Sequence, residues 1–135
     1  MAGYSKKSLV EKLGIKPDIK LVVFNSPGDY QKLLDEEAKG VELSKQLTPQ
    51  SPFIHFFTKR QKELTEKFPE LKKNLSFNGI LWISWPKQSA KIKTDLNEGI
   101  VQKIGLENGL VDVKVTAIDN TWSGLKFVYR IKDRL

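Results

Sequence analysis

The feature that most constrains this fold is a set of three short apolar runs without alternation. Residues 21–24, 53–57 and 80–85 are almost continuously hydrophobic. A strand with one face in water alternates apolar and polar residues, whereas a strand of a parallel sheet is covered on both faces and is apolar throughout. The three runs therefore predict buried strands in the middle of a sheet, with helices packed on both of its faces.

Helix signals precede and follow the first run. Ser8 and Glu11 form a capping-box pattern, and Gly14 is a residue that ends helices well, so a helix is predicted over residues 5–13. After the strand of residues 20–25, Ser26 is expected to be the N-cap of a second helix and Pro27 its first residue. This helix is expected to bury Tyr30, Leu33 and Leu34 and to end at Gly40.

The rest of the chain is assigned by the same signals of periodicity, caps and turns. A short strand is expected over 41–44 and a longer one over 53–57, followed by a helix that carries Leu64 to Leu75 and is broken at Pro69. A turn at Asn78-Gly79 then leads into a strand over 80–85, and the next helix is capped by Thr94-Asp95 and ended by Asn108-Gly109. The last two strands, over 110–118 and 124–131, are joined by the hairpin loop 119–123.

This order of elements, α-β-α-β-β-α-β-α-β-β, predicts an α/β fold with three layers. Strands that alternate with helices need crossover connections, which produce a mostly parallel Rossmann-like sheet covered on both faces. The last two strands are expected to form a C-terminal antiparallel hairpin. At 135 residues, the chain has the usual length of one domain, so residues 1–135 are expected to form a single Rossmann-like domain.

Composition excludes several classes of site. The chain has no cysteine, which rules out disulfides, thiolate nucleophiles and cysteine-based zinc sites. With one histidine and no paired carboxylate motif, we expect no metal site. No stretch approaches the roughly 18 apolar residues of a membrane span, and residues 1–13 lack the apolar core of a signal peptide. We therefore expect a soluble cytoplasmic protein that does not interact with membranes.

The net charge of +7 allows an acidic partner such as a nucleic acid. The basic excess is shared almost equally by the two halves of the chain, and there is no basic tail. Arg60, Arg130 and Arg134 are the only arginines, the residue type favoured for bidentate contacts to phosphates and bases. We therefore favour a solvated, lysine-rich surface and keep nucleic-acid binding as an alternative.

Ligands of open parallel sheets bind beyond the carboxyl ends of the strands, where the strand order reverses. This rule gathers four loops at one edge, namely residues 25–29, 58–60, 84–87 and 119–123. The candidate ligand-binding residues of these loops are Asn25, Ser26, Lys59, Ser84, Trp85, Lys87, Asp119, Trp122 and Ser123.

A structural role is the alternative for each of these residues. Trp82 and Trp85 are three residues apart on a strand, so they face opposite sides and at least one is expected in the core. Trp122 either lines the site or covers the end of the sheet. Lys59 fits an ordinary helix start, and Ser84 can be a buried hydroxyl with a hydrogen-bond partner.

The sequence leaves catalysis undecided. His55, the one histidine, lies within an apolar strand, where a buried imidazole with hydrogen-bond partners is favoured over a catalytic base. No G-x-S-x-G motif and neither glycine-rich phosphate-binding signature is present. We therefore expect no catalytic residue, and whether the protein is an enzyme stays open.

A shortened class I methyltransferase is what the following segments together resemble: the strand-loop-helix start, residues 41–44, SPFIHFF, LKKNLSFNGILWISWPK and the closing hairpin. The resemblance implies S-adenosylmethionine over the loop after the first strand, with Gly28 beside it and Glu42 on the ribose. The segments YSKKSLVEKLGIKP, LWISWPK and GLVDVKVTAIDNTWSGLKFV more closely resemble a family of small bacterial proteins of unknown function. The chain differs from the methyltransferase pattern in having one glycine and a proline in this loop, and in lacking one strand-helix unit between Ser44 and Phe53.

Three hypotheses follow. The first is a non-catalytic Rossmann-like module that binds a small ligand or a protein at the carboxyl edge and needs no cofactor. The second is a methyltransferase-like protein that binds S-adenosylmethionine. The third is a nucleic-acid binder that uses the basic surface.

Overall fold

Six strands and four α-helices make up the part of the chain that the computed structural model describes, residues 8–34 and 40–134. The elements are α1 (Leu9–Leu13), β1 (Lys20–Phe24), α2 (Tyr30–Leu34), β2 (Glu42–Ser44), β3 (Ser51–Phe57), α3 (Gln61–Lys73), β4 (Leu75–Pro86), α4 (Glu98–Glu107), β5 (Leu110–Ala117) and β6 (Trp122–Tyr129). Short 3-10 turns follow β4 and β6, at Gln88–Ala90 and Ile131–Asp133. The predicted order of helices and strands is confirmed.

The strands form one sheet in the order β2-β1-β3-β4-β6-β5. β2, β1, β3 and β4 are parallel, β6 is antiparallel to β4, and β5 is antiparallel to β6. The predicted α/β class, with a mostly parallel Rossmann-like sheet and a C-terminal antiparallel hairpin, is confirmed. β5 runs in the direction of β4, so the hairpin loop lies at the carboxyl edge, as predicted.

Two apolar clusters cover the two faces of the sheet, which explains why the central strands are apolar throughout. The α3/α4 face is built from side chains of both helices and the sheet, including Phe56, Phe68, Trp85, Val101 and Phe127. The α1/α2 face is built in the same way and includes Leu13, Tyr30, Phe53, Trp82 and Trp122. Trp82 and Trp85 therefore face opposite sides, as predicted, and both are buried.

The capping box of α1 is present as predicted. The Ser8 hydroxyl accepts from the Glu11 N–H, the Glu11 carboxylate accepts from the Ser8 N–H, and Gly14 adopts a left-handed conformation at φ 76°. Residues 5–7 of the predicted helix lie outside the described residues. No helix in the described part of the chain is long and apolar enough to cross a membrane.

The prediction that Ser26 caps the second helix is wrong. The carboxylate of Asp29, the residue before α2, accepts from the Gln31 N–H at 3.0 Å, whereas the Ser26 hydroxyl donates to the Gly28 carbonyl at 2.7 Å. An N-cap side chain must directly precede the first helical residue, so Pro27 and Gly28 belong to the loop. The predicted helix end before Gly40 falls on residues 35–39, outside the described residues.

The predicted break at Pro69 and turn at Asn78-Gly79 are both wrong. α3 continues through Pro69, because Leu64, Phe68 and Leu71 on one face are fully buried against the sheet and hold the helix in place. β4 continues through Gly79. The pairing of β3 with β4 is irregular there, and a Cβ at Gly79 would lie 3.0 Å from the Ser76 carbonyl oxygen.

The cap predicted at Thr94-Asp95 is also wrong. Asn97 caps α4 by accepting from the Ile100 N–H at 2.9 Å. Asp95 instead accepts from the Gln61 N–H of α3 at 2.7 Å, so it caps a helix far away in sequence. The helix end predicted at Asn108-Gly109 is confirmed. The hairpin loop is shorter than predicted, because β6 begins at Trp122 rather than Gly124 and pairs that residue with Pro86.

Candidate ligand site at the carboxyl edge

Asn25 stands at the point where the strand order reverses. β1 lies between β2, which follows it in the chain, and β3, so the connections diverge at its carboxyl end. Asn25 has a left-handed backbone at φ 60°, and its side-chain amide donates to the Phe57 carbonyl at the end of β3, at 3.1 Å. This bond joins the two strand ends that flank the expected ligand position.

A groove of about 930 Å³ lies on the β3 side of Asn25. We call it the β3 groove. It is lined by Asn25, Pro27, Phe57, Thr58, Lys59, Arg60, Lys62, Glu63, Glu66, Lys67, Ile92 and Trp122. Four of these side chains are cationic and two are carboxylates. Lys67 pairs with Glu70 at 2.7 Å, and the Thr58 hydroxyl donates to the Glu63 carboxylate. The groove is thus of mixed charge and is partly neutralised from within.

A cavity of about 550 Å³ lies on the β2 side of Asn25. We call it the β1–β2 cavity. It is lined by Val23, Phe24, Asn25, Ser26, Gly28, Asp29, Tyr30, Leu43, Ser44 and Lys45. The Asp29 carboxylate is engaged in capping α2, so Lys45 is the ionised lining side chain with no partner within residues 8–34 and 40–134.

The loop of residues 25–29 also borders a third cleft, of about 350 Å³, together with the hairpin loop. Asp119 lines this cleft, but its carboxylate accepts from the Thr121 and Trp122 N–H groups, each at 2.8 Å. Asp119 therefore closes the hairpin turn. Trp122 is buried against Phe57, with ring centroids 5.4 Å apart, and contributes to both this cleft and the β3 groove. It both covers the end of the sheet and lines these two cavities.

His55 and Ser84 belong to a buried hydrogen-bond network rather than to an open site. His55 Nδ1 lies 2.7 Å from the Tyr30 hydroxyl, and its Nε2 lies 2.7 Å from Ser84 Oγ. His55 and Ser84 have no exposed surface. Burial lowers the pKa of His55 to about 3 and raises that of Tyr30, so the imidazole is neutral near pH 7. A neutral ring enclosed by two hydroxyls has no position from which to take a proton from a ligand.

The structure brings together some of the predicted site residues and separates others. Those that line at least one cavity are Asn25, Ser26, Gly28, Lys59, Asp119 and Trp122. Trp85 is buried on the α3/α4 face. Lys87 and Ser123 are half-buried beyond the linings, where the Lys87 N–H donates to the Thr121 carbonyl at 2.7 Å.

Glu42 lies at the opposite end of β2 from the cavity. It pairs with Lys20, the first residue of β1, whereas Ser44 pairs with Val22 nearer the carboxyl edge. The segment after β2 was not among the four loops predicted at this edge, although the same edge rule applies to that strand. The prediction of a strand over residues 41–44 would have placed Ser44 and Lys45 beside the site.

No protein-family model matches the chain, and no curated protein matches its sequence. Among solved structures, it is similar to a putative type 11 methyltransferase from Sulfolobus solfataricus, with a TM-score of 0.57 and 14% identity over 93% of this chain and 91% of that one. It is also similar to a SAM-dependent methyltransferase from Aquifex aeolicus, with a TM-score of 0.55 and 18% identity over 88% and 86% of the two chains.

The chain is also similar in structure to a longer protein, the magnesium protoporphyrin IX methyltransferase from Synechocystis PCC 6803. The TM-score is 0.52 and the identity is 14%, and the match covers 74% of this chain but only 55% of that protein. These likenesses show the fold, which is methyltransferase-like and of reduced size.

The residues of the β1–β2 cavity fit S-adenosylmethionine in position but not in chemistry. The loop after β1 forms one wall, which is where the resemblance to class I methyltransferases implies that cofactor would lie. The end of β2, where the resemblance expects a carboxylate for the ribose hydroxyls, presents Lys45 instead. A Cβ at Gly28 would meet nothing within 4 Å, so this glycine is not required for a close backbone approach by the protein itself. In the described residues, no group of three or more histidine, aspartate or glutamate side chains is placed to hold a metal ion.

Proposed function

We propose that this chain is a non-catalytic Rossmann-like module that binds a small ligand at the carboxyl edge of its sheet. The observation that carries the proposal is the position of Asn25 at the switch point, where it walls both the β3 groove and the β1–β2 cavity. Volumes of about 550 and 930 Å³ lie in the range of small-molecule sites. The same edge binds ligands in open α/β sheets generally.

The absence of catalysis is part of the proposal and rests on the placement of the acid-base groups. His55 is enclosed in the core between Tyr30 and Ser84. Asp29 and Asp119, the two carboxylates that line the third cleft, both accept backbone N–H groups. Groups used in this way support the fold and leave binding as the function of the edge.

Two alternatives accompany this proposal. Binding of S-adenosylmethionine is favoured by the methyltransferase-like fold and by the position of the β1–β2 cavity, although Lys45 lies where an acid is expected. Binding of a nucleic acid would use Lys59, Arg60 and Lys62 around the β3 groove and must weaken steeply as salt rises. We also propose that the chain belongs to the family of small bacterial proteins of unknown function that its sequence resembles.

The test is a substitution that obstructs the cavities at the carboxyl edge and leaves the backbone unstrained. Gly28 is exposed, and a side chain there enters open space, so Gly28→Trp should fold normally while it obstructs the β1–β2 cavity and the third cleft. Gly99, in the first turn of α4, is the matched control, because it is also exposed and a Cβ there would make only an ordinary contact at 3.5 Å.

The probes are adenosine, adenosine monophosphates, S-adenosylmethionine and S-adenosylhomocysteine, titrated into labelled protein and followed by amide NMR shifts. We expect saturable shifts at residues 25–30 and 43–45 that disappear in Gly28→Trp and persist in Gly99→Trp. Shifts confined to other surfaces, or binding that survives Gly28→Trp, would contradict the proposed site. A response to duplex DNA alone that vanishes at high salt would favour the nucleic-acid alternative.

A further inference from the structure

We infer that the β1–β2 cavity selects a nucleoside that carries a phosphate on its ribose 2′ or 3′ oxygen, with Lys45 as the residue that sets this preference. The inference rests on the proposed function and names the ligand class of the same site. It starts from the disagreement between the cavity and S-adenosylmethionine, whose ribose hydroxyls are both free.

Lys45 lies where the ribose of a bound nucleoside is expected. A nucleoside held against the loop after the first strand of a Rossmann-like sheet reaches the end of the second strand with its ribose. Here Ser44 is the last residue of β2, Lys45 follows it, and both line the cavity with Leu43. The ribose of such a ligand would therefore lie beside Lys45.

Charge is the second step. An acid at this position accepts from a free ribose hydroxyl, whereas a cation accommodates a ribose phosphate. The acid of β2, Glu42, lies at the other end of the strand beside Lys20. Lys45 is exposed and unpaired within the described part of the chain. An ammonium with a free ribose diol gains little, and an ammonium with a phosphate forms a charge-assisted hydrogen bond.

The remaining polar groups of the cavity do not change this conclusion, because each has a partner within the protein. The Asp29 carboxylate caps α2, and the Asn25 amide donates to the Phe57 carbonyl. The Ser26 hydroxyl donates to the Gly28 carbonyl. The Tyr30 hydroxyl is turned toward His55 in the core. Lys45 is the charged donor that is left for a ligand.

The experiment measures dissociation constants by calorimetry for adenosine and its 2′-, 3′- and 5′-monophosphates, with inorganic phosphate as a separate probe. The variants are Lys45→Glu and, as a control of equal charge change, Lys103→Glu, whose side chain is exposed on α4. We expect the 2′- or 3′-monophosphate to bind the unaltered protein about tenfold more tightly than adenosine, and Lys45→Glu to remove this preference. Lys103→Glu should keep it, and Lys45→Glu should bind adenosine at least as tightly as before.

The outcomes separate the inference from the proposed function. If adenosine and its ribose phosphates bind equally, or if Lys45→Glu leaves the preference intact, the inference is wrong and the site remains. If only the 5′-monophosphate is preferred, the anion lies elsewhere in the cavity and the inference is again wrong. If inorganic phosphate competes as well as the nucleotides, the site recognises an anion without a nucleoside, which also overturns it. If no probe binds, the proposed function itself is contradicted.

Discussion

The two faces of the sheet are held by different forces. On the α3/α4 face, Phe68 and Phe127 pack edge to face, with ring centroids 5.5 Å apart, inside an apolar cluster. On the α1/α2 face, directional hydrogen bonds cross the core. Tyr30 and Ser84 bond to His55, and Trp82 Nε1 donates to the Leu13 carbonyl at 3.0 Å.

This difference matters because the β1–β2 cavity and the third cleft both adjoin α2, whereas the β3 groove adjoins α3. Apolar packing is strong but non-directional, so it tolerates small rotations of a helix. The Tyr30–His55 bond fixes the first residue of α2 relative to β3, directly after the loop of residues 25–29. The hydrogen-bonded α1/α2 face therefore determines the position of the loop that walls the cavities. The α3/α4 face has the larger apolar cluster and is expected to supply more of the stability. Four predictions test this comparison.

The largest loss of stability is expected from truncating a buried side chain on the α3/α4 face. Phe68 has no exposed surface, so Phe68→Ala leaves a cavity and should lower the free energy of unfolding by about 3–5 kcal/mol. Denaturant titration measures this value. NMR shifts of residues 25–30 should change little, because the polar network on the other face is intact. A loss below about 1 kcal/mol would contradict the central role of this cluster.

Removal of the imidazole is expected to cost slightly less. His55→Leu leaves the Tyr30 and Ser84 hydroxyls buried without their partner and should cost about 2–4 kcal/mol. Unlike Phe68→Ala, it should also shift the resonances of the loop of residues 25–29. The triple variant Tyr30→Phe, His55→Leu, Ser84→Ala has no unpaired hydroxyl and should regain most of the stability. If it is as unstable as His55→Leu, the loss comes from packing rather than from unpaired hydroxyls.

Lowering the pH should reduce the folding stability through His55 on the α1/α2 face. Its pKa is lowered from 6.5 to about 3 on folding, so the unfolded chain binds the proton more readily. The stability that the neutral imidazole supplies is complete above pH 6.5 and is lost as the pH falls from 6.5 toward 3. Between pH 7 and pH 5 the expected loss is about 2 kcal/mol. Denaturant titrations should show a shallower loss in the triple variant; equal slopes would contradict this assignment.

The smallest effect is expected at the cap of α2. Asp29→Ala removes the acceptor of the Gln31 N–H and should cost about 1 kcal/mol. Ser26 was predicted from the sequence as the cap, but Ser26→Ala should lower the free energy of unfolding by only a few tenths of the Asp29→Ala loss. Thermal unfolding of both variants measures the difference. A larger loss from Ser26→Ala would restore Ser26 to the role first assigned to it.

The sequence predicted the fold well because its signals are local and redundant. The buried strands at residues 53–57 and 80–85 are recognisable as apolar runs, and the capping box at Ser8 requires only four neighbouring residues. The failures share a cause. Asp95 caps α3 from 34 residues away, and Pro69 stays helical because its helix is packed on the sheet, and neither fact is present in a short window of sequence.

The candidate site shows the same division. The sequence by itself determined the α/β fold, the carboxyl edge that carries the candidate site and the loop of residues 25–29 that walls it, because chain order and strand direction suffice for these. Only the tertiary structure decided that His55 is enclosed, that Trp85 lies on the far face, and that Lys45 rather than Glu42 borders the cavity. Those facts depend on strand register and on which face a side chain occupies, and a shift of one residue reverses them.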